Sequence, residues 1–440
     1  GVEISYEEEL RGIKGIKFIQ KDRFNRDVGS FKNGELDIIP IAGKDLTITI
    51  DSELQDYGEQ LMNGKKGGIV AIDPRNGEIL SLVSAPSYNP NLLIGRNRSE
   101  NYMELYRDSI YKPLIDKSLL NMHAPGSPFK ILVGLSALQE KAITEKTTIY
   151  CNNYYQYGKE KRTMQCHCGG GHRNLTNAIS LSCNSYFANA YRKTIDTKSP
   201  TKEAFNNWSN QMKSFGLGEY LNNDLSVGKK GIIPDFEFYN KWYPDFKWGA
   251  TTTLSNSIGQ GEVLVTPIQL ANMTAAIANK GYYYTPHIIK KIEGSEIDSK
   301  FKTKNYTLID STHFEPIIEG LSKVYKSGTA QFLQVPEIEI CGKTGTAENF
   351  TKINGKKTQL TDHSIFVAFA PKDNPTIAIS VLVENGYYGS RWAGRIASLM
   401  IEKYIKGEVT LKNMEQLVMN KSLDEEYQKP FLNKPFKINQ

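Results

Sequence analysis

The sequence predicts an α+β domain in which strands from both ends of the chain share one antiparallel sheet. Two β-hairpin patterns lie far apart, one near residues 68–83 and the other near residues 364–383. Helical patterns occupy the region between them. Because the strands are grouped at the ends and do not alternate with helices, we expect an antiparallel sheet with helices packed beside it, rather than repeated βαβ units.

The first strands follow a polar, charged opening stretch. Residues 46–50 alternate apolar and polar side chains with period two, which is typical of a strand. Residues 68–72 and 78–83 are apolar runs on either side of Asp73-Pro-Arg-Asn-Gly77, whose residues favour a tight turn. The sequence therefore predicts one strand and then a hairpin at the start of the domain.

Helices are predicted in the middle of the chain, where apolar residues recur at helical spacing over residues 130–142, 175–191 and 267–279. The second hairpin is predicted from the apolar runs 364–370 and 376–383, which flank Pro371-Lys-Asp-Asn-Pro375. An apolar helical pattern over residues 393–405 closes the main body, and the chain is polar from residue 409 onward.

Composition indicates an ordered globular protein. The 440 residues are 39% hydrophobic, which is enough to bury a sizeable core. The net charge of +6 is small and spread along the chain, whereas a nucleic-acid-binding protein would concentrate it in a stripe. We therefore expect no nucleic-acid partner. No run of 18 apolar residues occurs, so the sequence predicts no membrane span within itself.

Ser127 and Lys130 belong to the motif Ser127-Pro-Phe-Lys130, directly before a helical pattern. Proline fits the first turn of a helix, because its missing N–H would be unpaired there anyway. Ser127 is thus expected at a helix N-terminus, with Lys130 one turn later on the same face. A lysine whose pKa is lowered by burial can take the serine proton, which makes the pair a candidate nucleophile and base. Alone, the motif is more often a capping serine near a surface lysine.

Two further motifs follow. Ser182-Cys-Asn184 lies within or beside a helical pattern, where the hydroxyl can relay a proton and the Asn184 amide can hold a substrate carbonyl. Lys343-Thr-Gly-Thr346 follows an apolar alternation and is predicted on a strand that runs into a turn. The side chains of Lys343, Thr344 and Thr346 attract a carboxylate, and Gly345 lets a ligand lie close to the backbone. Each of these motifs is unremarkable by itself.

Together, the ordered set S-x-x-K, S-x-N and K-T-G is the signature of penicillin-binding proteins and serine β-lactamases. The chain resembles class B penicillin-binding proteins over nearly its whole length. Longer stretches carry this resemblance: Gly1-Val-Glu-Ile-Ser-Tyr6 with Leu10-Arg-Gly12, Asp45-Leu-Thr-Ile-Thr-Ile-Asp51, Ser257-Ile-Gly-Gln-Gly-Glu-Val-Leu-Val-Thr-Pro267, Ser327-Gly-Thr-Ala330 and Leu382-Val-Glu-Asn-Gly386.

The resemblance implies a penicillin-binding/β-lactamase-like transpeptidase fold over residues 45–408. Residues 1–44 would be part of a non-catalytic pedestal domain, and residues 409–440 a C-terminal tail. It also implies a peptidoglycan D,D-transpeptidase that acts on stem peptides ending in D-Ala-D-Ala and is acylated by β-lactams. A membrane glycan polymerase would be its partner. The catalytic domain would lie in the periplasm, held to the inner membrane by an N-terminal anchor outside this sequence.

The same resemblance implies a role for each motif residue. Ser127 is the nucleophile, Lys130 the general base and Ser182 a proton relay, while Asn184 orients the peptide amide. Lys343, Thr344 and Thr346 receive the terminal carboxylate beside Gly345. The backbone N–H groups of Ser127 and Thr346 form the oxyanion hole.

The resemblance implies a role in side-wall elongation, and four other functions are the alternatives. A division-type class B enzyme would share every motif, and a β-lactam sensor would form an acyl-enzyme without cross-linking. A catalytically silent scaffold would not be acylated. A β-lactamase needs a base for the deacylating water. Glu219 stands at a spacing that does not fit such a base, so we interpret Glu219 as a surface residue.

Four of the five cysteines cluster with two histidines in one stretch: Cys151, Cys166, His167, Cys168, His172 and Cys183. Such spacing can supply a tetrahedral zinc site, and disulfides are the alternative in an oxidising compartment. Some elongation-type class B proteins carry a metal site that uses the middle residue of S-x-N, here Cys183. The resemblance therefore favours a structural zinc ion and elongation. Cys151, Cys166 and Cys183 are the firmer ligands, and Cys168, His167 or His172 is the fourth.

Overall fold

The computed structural model describes residues 1–196, 201–246, 248–353 and 355–431. Residues 432–440 of the predicted C-terminal tail lie outside the described residues. The strands are, in chain order, β1 (Ile19–Lys21), β2 (Asp27–Ser30), β3 (Leu46–Ile48), β4 (Gly67–Ile72), β5 (Ile79–Ala85), β6 (Ile149–Cys151), β7 (Tyr154–Tyr157), β8 (Arg162–Gln165), β9 (Gly171–Arg173), β10 (Tyr282–Tyr284), β11 (Ile289–Ile292), β12 (Lys304–Tyr306), β13 (Cys341–Ile353), β14 (Lys356–Ala370) and β15 (Ile377–Val383).

The helices alternate with these strands in irregular order. They are α1 (Val2–Ser5), α2 (Glu7–Arg11), α3 (Ser52–Leu61), α4 (Arg98–Arg107), α5 (Lys130–Gln139), α6 (Leu175–Ser180), α7 (Asn184–Asp196), α8 (Thr201–Lys213), α9 (Phe236–Trp242), α10 (Pro267–Ala278), α11 (Phe314–Ser327), α12 (Ala393–Lys406), α13 (Lys412–Asn420) and α14 (Asp424–Gln428). None of the helices in the described ranges combines the length and the apolar character needed to cross a membrane.

Five antiparallel strands form the central sheet in the order β13-β14-β15-β4-β5. The two chain ends meet where β15 pairs with β4, in a register that joins Val383 to Gly67 and Ala378 to Ile72. Every residue of β4 and β15 is buried, so both faces of the sheet are covered. Helices α3, α10 and α12 contact these strands. The predicted α+β architecture with a shared terminal sheet is confirmed.

A helical region and a small insert lie between the sheet halves. Helix α5 is buried from Lys130 to Leu138 and contacts α7, α8 and α11. Between α5 and α6, the chain forms two short two-stranded ladders, β6 with β9 and β7 with β8. This insert carries three of the clustered cysteines and ends directly before the helix that leads to Ser182.

Two local predictions were wrong. Residues 175–191 were expected to form one helix, but α6 ends at Ser180 and α7 begins at Asn184. The break is needed because Ser182 has a left-handed backbone conformation, with φ of 55°. The Lys343-Thr-Gly-Thr346 motif was expected at the end of a strand, but β13 continues through it to Ile353. Its pairing with the equally long β14 extends the hairpin beyond the motif.

The terminal segments pack on the main body. Near the start of the chain, the Tyr6 hydroxyl donates to the Asp224 carboxylate over 2.7 Å, and the Tyr6 ring lies in a small cluster with Ile289 and Phe301. Beyond residue 408, Val418 and Tyr427 are buried in the main hydrophobic core.

Candidate active site

Ser127 begins a one-turn 3₁₀ helix, Ser127–Phe129, which leads directly into α5. The residue before it, Gly126, has φ of 62°, a conformation that side chains rarely adopt. A β-carbon on Gly126 would lie 2.6 Å from the Thr346 carbonyl oxygen and 3.3 Å from the Thr346 nitrogen. The glycine thus allows the nucleophile turn to lie directly against strand β13.

Hydrogen bonds lead from Lys130 to Ser127 through Ser182. The Lys130 ammonium donates to the Ser182 hydroxyl over 3.1 Å and to the Ser182 carbonyl over 2.8 Å. The Ser182 hydroxyl in turn donates to the Ser127 hydroxyl over 2.9 Å. Lys130 also donates to the Asn184 side-chain oxygen over 2.5 Å. The first two predicted motifs therefore meet in one connected group.

Lys130 is fully buried, and this burial is the main influence on its charge. Removal of the ammonium from water lowers the pKa of Lys130 to about 8. The nearby thiols of Cys166, Cys183 and Cys168 oppose this shift, because a negative charge on them favours the ammonium. The lysine can consequently exist as a neutral amine at a pH at which an ordinary lysine stays protonated.

The break between α6 and α7 positions the second motif. After α6, the N–H groups of Ser182 and Cys183 donate to the carbonyls of Ile179 and Ala178. This tight turn aims the Ser182 hydroxyl at Ser127 and starts α7 at Asn184. The left-handed conformation of Ser182 is therefore part of the site geometry.

Strand β13 forms the opposite wall at the edge of the central sheet. Lys343 is fully buried, and its ammonium donates to the Thr344 carbonyl over 3.2 Å. Burial and the charge of Lys130 lower the pKa of Lys343 well below its usual range. Thr344 and Thr346 are half-buried and share one strand face, as period-two alternation requires. A β-carbon on Gly345 would lie 2.6 Å from Pro128, so β13 adjoins the nucleophile turn.

Two contacts of this site were not predicted from the sequence. The Asn184 side-chain nitrogen donates to the Gln165 carbonyl over 2.6 Å, which ties the end of β8 to the second motif. The hydroxyls of Thr329 and Thr344 lie 2.9 Å apart. Neither contact has a local sequence signal, because each joins segments that only the tertiary fold brings together.

Four thiols form a compact buried group beside Asn184. The metal-binding atoms of Cys151, Cys166, Cys168 and Cys183 all lie within 4.8 Å of one another. The Sγ atoms of Cys166 and Cys183 are 3.7 Å apart, and those of Cys168 and Cys151 are 3.6 Å apart. A tetrahedral ion with zinc–sulfur bonds of about 2.3 Å separates its sulfurs by about 3.8 Å. The donor set and its spacing thus fit a tetrahedral metal.

The thiol group is also connected to the catalytic motifs. The Asn184 backbone N–H donates to the Cys166 sulfur over 3.1 Å. The hydrogen bond between the Cys166 and Cys183 sulfurs lowers the pKa of the Cys166 thiol, which favours the thiolate that a metal requires. All five cysteines are free thiols, and Cys341 is buried apart from the group of four.

Two other residues lie outside the hydrogen-bonded group, and one of them tests a prediction. Glu219 is exposed, which confirms its interpretation as a surface residue and removes support for the β-lactamase alternative. His123 lies against His363, with ring centroids 4.5 Å apart, and burial lowers the pKa of His123. The His123 ring therefore packs against a second buried ring.

Comparison with known proteins decides the family. Residues 67–402 match the family model of the penicillin binding protein transpeptidase domain, a range inside the predicted boundaries of 45–408. The chain belongs to the penicillin-binding protein transpeptidase family. It is 34% identical over 406 residues to a peptidoglycan D,D-transpeptidase MrdA from Acinetobacter baumannii. This alignment covers 88% of the chain and 57% of that relative, so the chain spans little more than half of its length.

Solved structures in this penicillin-binding protein family have the same fold. Pseudomonas aeruginosa PBP2, in complex with WCK 5153, is 32% identical and superimposes with a TM-score of 0.73, covering 85% of this chain and 79% of that one. PBP2 from Helicobacter pylori, in complex with MreC, is 28% identical with a TM-score of 0.75, covering 93% of this chain and 72% of that one. These similarities confirm the resemblance to class B penicillin-binding proteins of the elongation type.

Proposed function

We propose that the protein is a peptidoglycan D,D-transpeptidase of side-wall elongation that cross-links stem peptides through an acyl-enzyme on Ser127. The observation that carries this proposal is the hydrogen-bonded series from Lys130 through Ser182 to Ser127, beside the edge strand that bears Lys343. Similarity to MrdA over 88% of the chain supports the elongation role.

In the acylation step, the neutral amine of Lys130 acts as the general base. It accepts the Ser182 proton while Ser182 accepts the proton of Ser127, so that the proton moves without a large rearrangement. The Ser127 oxygen forms a bond to the carbonyl carbon of the penultimate D-Ala. The peptide C–N bond then breaks, the leaving nitrogen takes a proton from the Ser182 hydroxyl, and the Lys130 ammonium returns a proton to Ser182. D-Ala departs and an ester remains on Ser127.

The turn and the edge strand would stabilise the tetrahedral intermediate together. The backbone N–H groups of Ser127 and Thr346 are the proposed oxyanion donors, and the contact of Gly126 with Thr346 supports their proximity. Such donors contribute about 2.7–4 kcal/mol each in other acyl-transfer enzymes. The half-exposed hydroxyls of Thr344 and Thr346 support their role in receiving the terminal carboxylate. Buried Lys343 would add positive potential behind them.

Intact-protein mass spectrometry with benzylpenicillin tests the nucleophile. We expect a stable adduct on the wild type, none on Ser127→Ala, and a normal adduct on the control Ser299→Ala, whose serine is exposed. An adduct that persists in Ser127→Ala would show that another residue reacts. Absence of an adduct on the wild type would favour the silent scaffold.

A second assay separates cross-linking from sensing. Incubation with a donor peptide ending in D-Ala-D-Ala and an amine acceptor should release D-Ala and form the cross-linked product. A β-lactam sensor would give the penicillin adduct without this product. The division-type alternative is separated in cells, since loss of an elongation enzyme yields round cells and loss of a division enzyme yields filaments.

We also propose a structural zinc ion held by Cys151, Cys166, Cys168 and Cys183. Four thiols at near-tetrahedral spacing support this choice over disulfides, whose bonded sulfurs are about 2.05 Å apart. When bound, the ion supplies a rigid crosslink between the insert and the turn that holds Ser182 and Asn184. The acyl-transfer chemistry requires no cofactor.

Metal analysis of the purified protein tests the zinc proposal. We expect about one zinc ion per chain, much less in Cys168→Ser, and full occupancy in the control Cys341→Ser, whose thiol lies outside the group. Loss of the metal should lower the melting temperature and slow acylation by loosening the Asn184 turn, while Ser127 still reacts. Metal-free protein with paired thiols would contradict the proposal.

The partner and the location follow the family resemblance. We propose a membrane glycan polymerase as the partner, which would supply the strands to be cross-linked. The catalytic domain would work in the periplasm, where these substrates lie, held by the N-terminal anchor expected from the resemblance. Similarity to relatives named peptidoglycan D,D-transpeptidase supports peptidoglycan as the substrate in this arrangement. Co-purification with the polymerase from membranes tests it.

A further inference from the structure

A segment remote from the three motifs bridges the two walls of the site. After the short 3₁₀ helix Leu254–Ile258, the chain passes through Gly259 and Gln260 beside the nucleophile turn. The Gly126 N–H donates to the Gly259 carbonyl over 2.9 Å. The Gln260 side-chain nitrogen donates to the Thr346 carbonyl over 3.1 Å. Two consecutive residues thus hold the turn before Ser127 and the strand opposite it.

The backbone of this bridge is tightly constrained. Gly259 has φ of 68°, and a β-carbon there would lie 2.3 Å from the Gly126 carbonyl oxygen and 2.6 Å from the β-carbon of Phe129. The Gln260 N–H donates to the Ser255 carbonyl over 3.0 Å. The backbone position of Gln260 is therefore fixed by the close packing of Gly259 and by the hydrogen bond to Ser255.

The directions of the backbone N–H and C=O groups of Thr346 matter for the reaction. In a β-strand, the N–H and C=O of one residue point to the same side. A β-carbon on Gly126 would lie close to both the oxygen and the nitrogen of Thr346, so both groups face the nucleophile turn. Because β13 is an edge strand, these groups have no neighbouring strand to orient them on that side. The Gln260 amide supplies a hydrogen bond in its place.

We infer that Gln260 is a positioning residue for acyl transfer: its amide fixes the Thr346 carbonyl and thereby aims the Thr346 N–H at the developing oxyanion. This role rests on the proposed function, since it requires that Ser127 is acylated. Gln260 acts through Thr346 and does not touch the reacting atoms. Its loss should slow the acylation step while leaving ground-state binding of the substrate unchanged.

The test compares Gln260→Leu, which keeps a similar volume without the amide, with the wild type. Rapid-mixing kinetics with benzylpenicillin separate the noncovalent Kd from the first-order acylation constant. We expect the acylation constant to fall by about tenfold. This effect is smaller than the 10²–10³-fold cost of removing an oxyanion donor outright. The Kd and the melting temperature should stay near those of the wild type. Gln60→Leu, at an exposed position on α3, is the matched control.

A boronic acid that forms a tetrahedral adduct on Ser127 gives an equilibrium readout. It should bind Gln260→Leu more weakly than the wild type by a similar factor, because it imitates the oxyanion. An unchanged acylation constant in Gln260→Leu would overturn this inference but not the proposed function. A parallel loss of noncovalent affinity and of thermal stability would also overturn it. Failure of the wild type to be acylated would overturn the proposed function and this inference with it.

Discussion

Lys130 shows how one buried residue controls the chemistry of the site. Its ammonium is surrounded by the carbonyl and hydroxyl of Ser182 and the amide oxygen of Asn184, which satisfy its three donors. Burial nevertheless favours the neutral form and lowers the pKa of Lys130 to about 8. The residue can thus serve as a base near neutral pH without a carboxylate or histidine partner.

The pH dependence of acylation should report this lysine. Because the neutral amine is the base, the acylation constant should rise as the pH approaches about 8 and become constant above it. The sign follows from the lowered pKa, since protonation at lower pH removes the base. Rapid-mixing kinetics with benzylpenicillin over this range measure the profile. A flat profile would contradict the assignment of Lys130 as the base.

Ser182 allows the hydroxyl and the backbone to be tested separately. Its φ of 55° costs an ordinary side chain about 1–2 kcal/mol, whereas glycine adopts it freely. Ser182→Gly and Ser182→Ala both remove the hydroxyl, so acylation should fall by about 10²-fold or more in each. Because glycine relieves the backbone strain, Ser182→Gly should be more stable than Ser182→Ala by about 1 kcal/mol.

Chemical denaturation of the two variants gives this stability difference, and benzylpenicillin kinetics give the rates. Equal stability of the two variants would show that the left-handed turn carries no strain. Near-normal acylation in either variant would show that Lys130 reaches Ser127 without the Ser182 hydroxyl.

At the scale of the secondary-structure elements, the sequence predicted where the motifs lie better than it predicted the backbone conformation around them. Local periodicity continues from Leu175 past Ser182, so it predicts one helix. The break is imposed by the tertiary bonds of Ser182 to Lys130 and Ser127, which no local pattern contains. A functional residue thus overrides helical propensity at the point where the site needs it.

The long hairpin of β13 and β14 was missed for a related reason. Its inner part is apolar and was predicted from residues 364–370, but its outer part is polar and exposed near Phe350. Pairing with a partner strand stabilises such a segment, and that pairing is not encoded in its own hydrophobic pattern. The cysteine spacing, in contrast, indicated a metal-binding cluster with its fourth ligand left open, and the fold places Cys168 beside the other three thiols.

At the scale of the whole molecule, stability should depend on the junction between the chain ends. Ile379 is fully buried on β15 opposite Ala71 of β4, whereas Ile39 is 81% exposed near the start of the chain. Ile379→Ala should lower the free energy of unfolding by about 2–5 kcal/mol, because it leaves a cavity between packed layers. Ile39→Ala should change it by less than about 0.5 kcal/mol.

Denaturant unfolding of the two variants measures this difference. Folded Ile379→Ala should still form the penicillin adduct, since the substitution lies outside the catalytic group. A small effect of Ile379→Ala, comparable to that of Ile39→Ala, would show that the terminal strands contribute little to the stability of the domain.

The sharing of one sheet by both ends was predictable, because the two hairpin patterns stand on either side of the helices. The order of the strands within that sheet was not predictable from the sequence. The strand runs that predicted the two hairpins are all apolar, so nothing in either pattern states that β15, and not β14, lies against β4. That choice depends on how α10 and α12 cover the two faces.

The pairing of β15 with β4 also determines when the central sheet can be completed during synthesis of the chain. The hairpin of β4 and β5 is synthesised early, but its neighbour arrives only with residues 377–383. Until then, β4 keeps one apolar edge open, a shape that invites pairing with other chains. A chain that ends before residue 377 would leave this edge of β4 unpaired. The sheet can therefore close only after residues 377–383 have been made, and the incomplete chain is prone to aggregation until then.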